Sequence, residues 1–195
     1  MNKSEIINES PQDIILDKAE VHTSEAEIKN NINNSTLVKE YSKTVSLFHL
    51  IISKNKSYYF LYNKVNKQVD YFVKYSKVEF SPKVLPVNNY GIRQVLVHRD
   101  SRSSGYTPGF AKSVFWEYLW TKNNCLVSDS QQSDDGRGFW HFVIKDAIEK
   151  SLTVRVVNTN DNTYKDYTSY DEIILDQDKI WGGSRWFQRM IIAIF

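Results

Sequence analysis

From residue 45 onward the alternation of apolar and polar positions separates strands from helices. Residues 45–52 form an apolar, β-favouring run, Lys54-Asn55-Lys56 supplies a turn, and residues 57–62 follow with YYFLY at 58–62. Asn63 to Lys67 is a second polar turn. Beyond it Val69, Tyr71, Val73 and Tyr75 alternate with Asp70, Lys74 and Ser76 as far as Phe80. Such alternation marks strands with one face covered, and the short polar connections make them an antiparallel meander of three. Pro82, Pro86 and Asn88-Asn89-Tyr90-Gly91 break the pattern before a fourth apolar stretch, residues 92–97.

The period then lengthens. Phe110, Val114, Phe115, Tyr118 and Leu119 recur at helical spacing and predict a helix over 108–122. Its aromatic content (Phe110, Phe115, Trp116, Tyr118 and Trp120) predicts a buried helix, with room for a partner surface. Cys125 to Val127 is too short for a helix and predicts a fifth strand. Residues 128–138 are polar, and a second helix over 139–150 carries Phe139, Phe142, Val143 and Ala147 on its apolar face. Residues 152–157 predict a strand, 158–171 a turn-rich polar loop, 173–175 a short strand, and 180–184 a turn. The chain closes over 186–195 on MIIAIF, a strand tucked into the sheet. Together these elements predict one mixed α/β domain over 36–195.

Residues 1–35 have a different texture: polar, with apolar clusters only at Ile6-Ile7 and Ile14 to Leu16. They predict a weakly structured N-terminal arm, either a partner-binding segment or a tail. A helix over 24–31 fits within it, because Ser24 and Glu27 have the S-x-x-E spacing of a capping box.

Composition narrows the function classes. The chain has 195 residues, 41% of them hydrophobic and 14% aromatic, enough for a sizeable core. No apolar run approaches the ~18 residues of a membrane span, and residues 1–10 contain no secretory apolar stretch. The lone cysteine, Cys125, excludes an intramolecular disulfide framework and reads as a small buried hydrophobe in a reducing compartment. A reducing cytoplasm is the expected location, with a virion interior equally compatible. Net charge is +2 but unevenly spread. Residues 1–40 carry four Lys against eight acids (−4), residues 41–116 twelve Lys and Arg against three acids (+9), and the remainder nine against twelve (−3). A basic middle attracts polyphosphates or nucleic acid, or is a set of solvated lysines on hairpin faces. Nucleic acid is the weaker expectation, since no recognition motif accompanies the charge.

Chemistry concentrates between the fourth strand and the first helix. His98 has the pKa of a general base, or is a strand-end histidine bonded to its neighbours. Arg99 and Arg102 can pair with phosphates or bridge to Asp100. Gly105 and Gly109 suit backbone angles other residues avoid. A strand feeding a glycine-bearing loop and then a helix aims free backbone N–H groups at an anion. Ser128 and Asp129 close the fifth strand, where ligands bind in α/β sheets, or form a turn and helix cap. His141, off the apolar face of its helix, reads as surface or structural. The Asx-rich run 158–162 lacks the spacing and terminal Glu of a calcium loop.

This order of elements resembles the central part of the GNAT acyltransferase superfamily, in a divergent branch carried by tailed phages. Arg102-Ser103-Ser104-Gly105-Tyr106-Thr107 partly matches the family's R-x-x-G-x-G/A loop, with Thr107 in place of the second small residue. Ser133, Gly136, Phe139 and Trp140 occupy the four positions of the N-x-x-A-x-x-L-Y segment, so Trp140 replaces the tyrosine that protonates the departing thiolate. An indole N–H is no useful acid. The family's pair of helices between the first two strands has no counterpart here. The resemblance implies a mostly antiparallel sheet whose fourth and fifth strands splay apart around the pantetheine of acetyl-CoA. It implies that Val97, Arg99, Arg102, Ser103, Ser104, Gly105, Tyr106, Thr107 and Gly109 hold this cofactor. His98, Asp129 and Ser128 would then serve catalysis on an amine-bearing substrate. The competing expectation is a non-catalytic protein of the same fold: a virion component, or a binder of a host protein.

Overall fold

The computed structural model describes residues 11–79, 84, 90–99, 109–128, 134–181 and 190–195. It is a mixed α/β structure, built on one mostly antiparallel sheet. In chain order its strands are β1 Thr36–Glu40, β2 Val45–Ser53, β3 Lys56–Asn63, β4 Gln68–Glu79, β5 Tyr90–Arg99, β6 Leu126–Val127, β7 Val154–Asn158, β8 Thr163–Tyr167 and β9 Met190–Ile194. They lie side by side as β1-β2-β3-β4-β5-β6-β9-β7-β8. The expected meander is present as β2, β3 and β4, and the closing strand β9 lies inside the sheet between β6 and β7. Among the described residues, β5 and β6 are the single parallel pair.

One face of the sheet carries a continuous core. Leu47, Tyr59, Leu61 and Val73 from the first half join Leu126, Val154, Val156 and Ile192 from the second. Covering them is a helix in three segments, α2 Phe110–Ser113, a π-helix Val114–Trp120, and α3 Thr121–Asn123. Helix α4, Asp134–Glu149, lies beside it. Phe110, Val114, Phe115 and Leu119 are buried, Phe110 and Val114 four apart and Val114 and Leu119 five apart. The i→i+5 bonds of a π-helix keep residues five apart on one face, and this bulky VFWEYLW segment uses that geometry to bury both Val114 and Leu119.

Three expectations change in this half of the chain. Helix α4 buries Trp140, Val143, Ile144 and Ala147, while Phe142 is 42% exposed and lies under the Lys112 ammonium. The 158–171 loop is mostly a hairpin, with β8 paired to β7. All of β8 but Tyr167 is exposed, so this edge strand has no apolar alternation to announce it. The short apolar run at 173–175 belongs to helix α5, Tyr170–Leu175, rather than a strand. Ser169 caps that helix by accepting from the Asp171 N–H, and Asp171 and Glu172 favour its N-terminal dipole. Helix α6, Gln177–Trp181, follows directly.

The opposite face is covered in two separate patches. Helix α1, Pro11–Asn31, lies over β2 to β4 and buries Ile28 against Leu50, Tyr58, Phe60 and Phe72. Ser24, expected as its N-cap, is buried within it. The charge imbalance along the chain has a structural use here. Glu20 pairs with Lys74 at 2.7 Å, Glu27 with Lys56 at 2.7 Å, and Glu40 of β1 with Lys64 at 2.9 Å. Three lysines of the basic middle are therefore matched by acids of the first forty residues. Under the second half of the sheet, Val84, Cys125, Val127, Val157, Ile191 and Ala193 form a smaller cluster. Cys125 is buried as expected, and burial raises its thiol pKa to about 11. Among the described residues no helix is long and apolar enough to cross a membrane.

Candidate functional site

Strand β5 is ten residues long, but its pairing with β6 covers two positions, Ile92 with Leu126 and Arg93 with Val127. Beyond Arg93 it continues to Arg99, paired with β4 alone: Gln94 opposite Tyr75, Val97 opposite Val73, His98 opposite Phe72 and Arg99 opposite Tyr71. Both residues of the two-residue β6 are paired, so Val97, His98 and Arg99 lie on the part of β5 beyond the end of that short ladder. Residues 100–108, which include Arg102, Ser103, Ser104, Gly105, Tyr106 and Thr107, lie outside the described residues, as does Asp129.

Gly109 marks where the chain returns. It has φ +89°, immediately before Phe110 opens the helix, and its carbonyl accepts from the Ser113 N–H at 2.8 Å. An added Cβ meets nothing within 4 Å among the described residues, and the left-handed backbone conformation is what favours glycine here. Ser128 sits at the far end of β6 and is 1% exposed. Its hydroxyl accepts from the Ile192 N–H at 2.9 Å, while its own N–H donates to the Ile192 carbonyl at 2.8 Å. Both groups of this residue thus tie β6 to β9. Trp140 is buried edge-on against Phe115, with ring centroids 5.6 Å apart.

A second constellation, not picked out by sequence, crosses the helix-covered face. His49 of β2 stacks on Tyr59 of β3 at 4.5 Å, and Tyr59 stacks on Tyr75 of β4 at 5.7 Å. The His49 Nε2 and Tyr75 hydroxyl share a 2.7 Å hydrogen bond. The Lys122 ammonium donates to the Tyr59 hydroxyl at 3.1 Å, and Tyr118 of the π-helix leans on Tyr59 at 5.3 Å. Burial, then the nearby Lys122 charge, pushes the His49 pKa down to about 4. Burial lifts Tyr59 to about 12 and Tyr75 further. Each shift favours the neutral form. At neutral pH His49, Tyr59 and Tyr75 therefore meet as neutral hydrogen-bonding groups. Through Tyr75 the network reaches the strand position beside Gln94, the first on β5 after its ladder with β6. A lone His in an apolar strand and tyrosines ten and more residues away give no joint signal in sequence.

His141, read from sequence as surface or structural, shares a 3.1 Å hydrogen bond between Nδ1 and the Tyr170 hydroxyl and lies 5.4 Å from the Trp181 ring. Burial, then the Arg137 charge, lowers its pKa. The 158–162 run makes the β7–β8 turn, in which the Asp161 carboxylate accepts from the backbone and hydroxyl of Thr163. No protein-family model, curated protein or solved structure matches the chain.

Proposed function

We propose that this chain is a GNAT-type protein that holds acetyl-CoA where β5 and β6 part, and transfers the acetyl group to an amine. The observation carrying this reading is the one parallel pair among the described residues, which takes up the two residues of β6 and leaves Gln94 to Arg99 of the ten-residue β5 paired with β4 alone. The resemblance assigns the space between these two strands to the pantetheine arm. The chain then runs through Arg102 to a left-handed Gly109 and a helix N-terminus, a suitable setting for a pyrophosphate. Backbone N–H groups of β5 past Arg93 would stabilise the oxyanion that forms when the amine attacks the thioester carbonyl. The C–N bond forms as the C–S bond breaks, the amine proton passing to His98 or Asp129 and the thiolate leaving with CoA.

Two observations favour the alternative of a non-catalytic binding protein on the same fold. Trp140, at the position of the family's acid, is packed in the core, and the Ser128 hydroxyl is committed to Ile192. Calorimetric titration with acetyl-CoA and with CoA separates the readings. Micromolar affinity, abolished by Arg102→Glu, supports the cofactor site. Absence of binding at millimolar ligand leaves the scaffold reading.

A further inference from the structure

Helix α1 covers a sheet face that is richer in large apolar side chains than the helix itself. Between Lys18 and Asn31 its only apolar residues larger than alanine are Val21 and Ile28. Ser24 stands between them on the same stripe and is 1% exposed. The sheet meets this stripe with Leu50, Tyr58, Phe60 and Phe72, all fully buried. Alternation along β3 and β4 puts a cation beside the rings on the same face. Lys56 comes two residues before Tyr58, and Lys74 lies directly opposite Tyr58. Glu27 and Glu20 of α1 meet these two ammoniums at 2.7 Å each. The Tyr58 hydroxyl donates to Glu27 at 2.6 Å and is bonded by Ser24 as well.

This floor specifies its occupant. It takes a helix in which an acid followed by an apolar residue recurs after seven positions, as in Glu20-Val21 and Glu27-Ile28, with a small polar residue between. Seven residues are about two turns, so both pairs lie on one face. We propose that this sheet face is a binding site for an acidic amphipathic helix of a partner protein, with α1 as the resident segment that such a helix displaces. Charge complementarity to Lys56 and Lys74 sets the partner's acidity. Two aliphatic side chains of α1 lie against three aromatic rings, so a helix of the same charge spacing with a fuller apolar stripe gains more on the same floor. The sheet's ladder runs from strand to strand and does not pass through α1, so displacement leaves it paired. This site is separate from the acetyl-CoA reading and does not depend on it.

The probe is a fluorescently labelled synthetic peptide with the sequence of residues 11–34, titrated into the full chain and followed by anisotropy. In the wild-type chain α1 competes from a tether, so the apparent affinity is reduced to the fraction of chains whose face is open. Glu20→Lys with Glu27→Lys in the chain sets like charges against Lys74 and Lys56. It is expected to tighten peptide binding at least about tenfold, the factor that two partly exposed ion pairs supply. The same two substitutions in the peptide should weaken its binding to that chain by a similar factor. If the charge-reversed chain does not fold, the two peptides are compared on the wild-type chain at millimolar concentration. Hydrogen exchange of the wild-type chain is an independent measurement: amides of α1 should exchange faster than those of Tyr58 to Leu61, because the helix opens without the sheet. A peptide that binds neither chain, binding indifferent to the peptide's charge reversal, or α1 and β3 exchanging at one rate overturns the proposal. So does a dimer that persists at micromolar concentration in light scattering, which would assign the face to a second copy of this chain.

Discussion

Arg155 and Asp166 stand opposite each other on β7 and β8 and meet through two parallel hydrogen bonds, Nε to Oδ1 at 2.6 Å and Nη2 to Oδ2 at 2.7 Å. The third arm of the guanidinium, Nη1, donates to the Val84 carbonyl at 2.6 Å, and the Tyr164 ring covers it at 3.7 Å. Arg155 is 7% exposed. The hydrogen bonds to Asp166 raise its pKa despite burial. One side chain therefore fastens the edge hairpin and the connection between β4 and β5 to the same strand.

Arg155→Lys is expected to destabilise the fold by about 2–3 kcal/mol. This lies below the ~3–5 kcal/mol of a fully buried broken pair, because the Asp166 side chain is 41% exposed. Urea denaturation measures it. A loss under about 0.5 kcal/mol would show that fork geometry and ring stacking contribute little here.

His49 makes stability depend on acid. Its folded pKa of about 4 lies below the ordinary histidine value of 6.5, so the unfolded chain takes up the proton first. The contribution is fully present above pH 6.5 and is lost as pH falls from there towards 4. At about 1.4 kcal/mol per pKa unit, discounted for partial solvent screening, the loss is of order 2 kcal/mol. His49→Gln should flatten the profile over that window. A profile unchanged by the substitution would assign the acid sensitivity to other groups.

Ser128→Ala should cost about 1–3 kcal/mol, because it leaves the buried Ile192 N–H without its acceptor. Acetyl-CoA affinity should survive the change. If stability holds and affinity collapses instead, the hydroxyl serves the ligand rather than the sheet.

Gly109→Ala should cost about 1–2 kcal/mol through the positive φ, since none of the described residues crowds the added Cβ. Gly109→Asn should cost less, because Asn tolerates the left-handed region better. Thermal unfolding distinguishes the pair, and equal losses in both would point to a cause other than φ.

Ile28→Ala should cost about 2–4 kcal/mol by opening a cavity between α1 and the sheet. Glu20→Gln, which removes a partly exposed ion pair, should cost under 1 kcal/mol. The reverse ranking would mean that charge, not apolar packing, holds the helix down.

The amino-acid sequence by itself determined the elements whose stabilising pattern is local. The β2–β4 meander shows as period-two alternation between polar turns, the 110–123 helix as a three-to-five-residue apolar recurrence, and β9 as six closing apolar residues. It also carried the charge imbalance, though not the pairs Glu20–Lys74 and Glu27–Lys56 that use it. Tertiary structure decided what depends on partners distant in the chain. Edge strand β8 exists because β7 lends it a ladder, not because Tyr164 and Asp166 favour a strand. The face of α4 is set by what lies beneath it, which buries Trp140 and leaves Phe142 outside. The same holds at the candidate sites. Ser128 looks the same in sequence whether its hydroxyl meets a ligand or Ile192. The neutral His49 arises only when Tyr59, Tyr75 and Lys122, from three further elements, close around it. Burial and hydrogen-bond partners set those properties, and both are fixed only once the sheet is assembled.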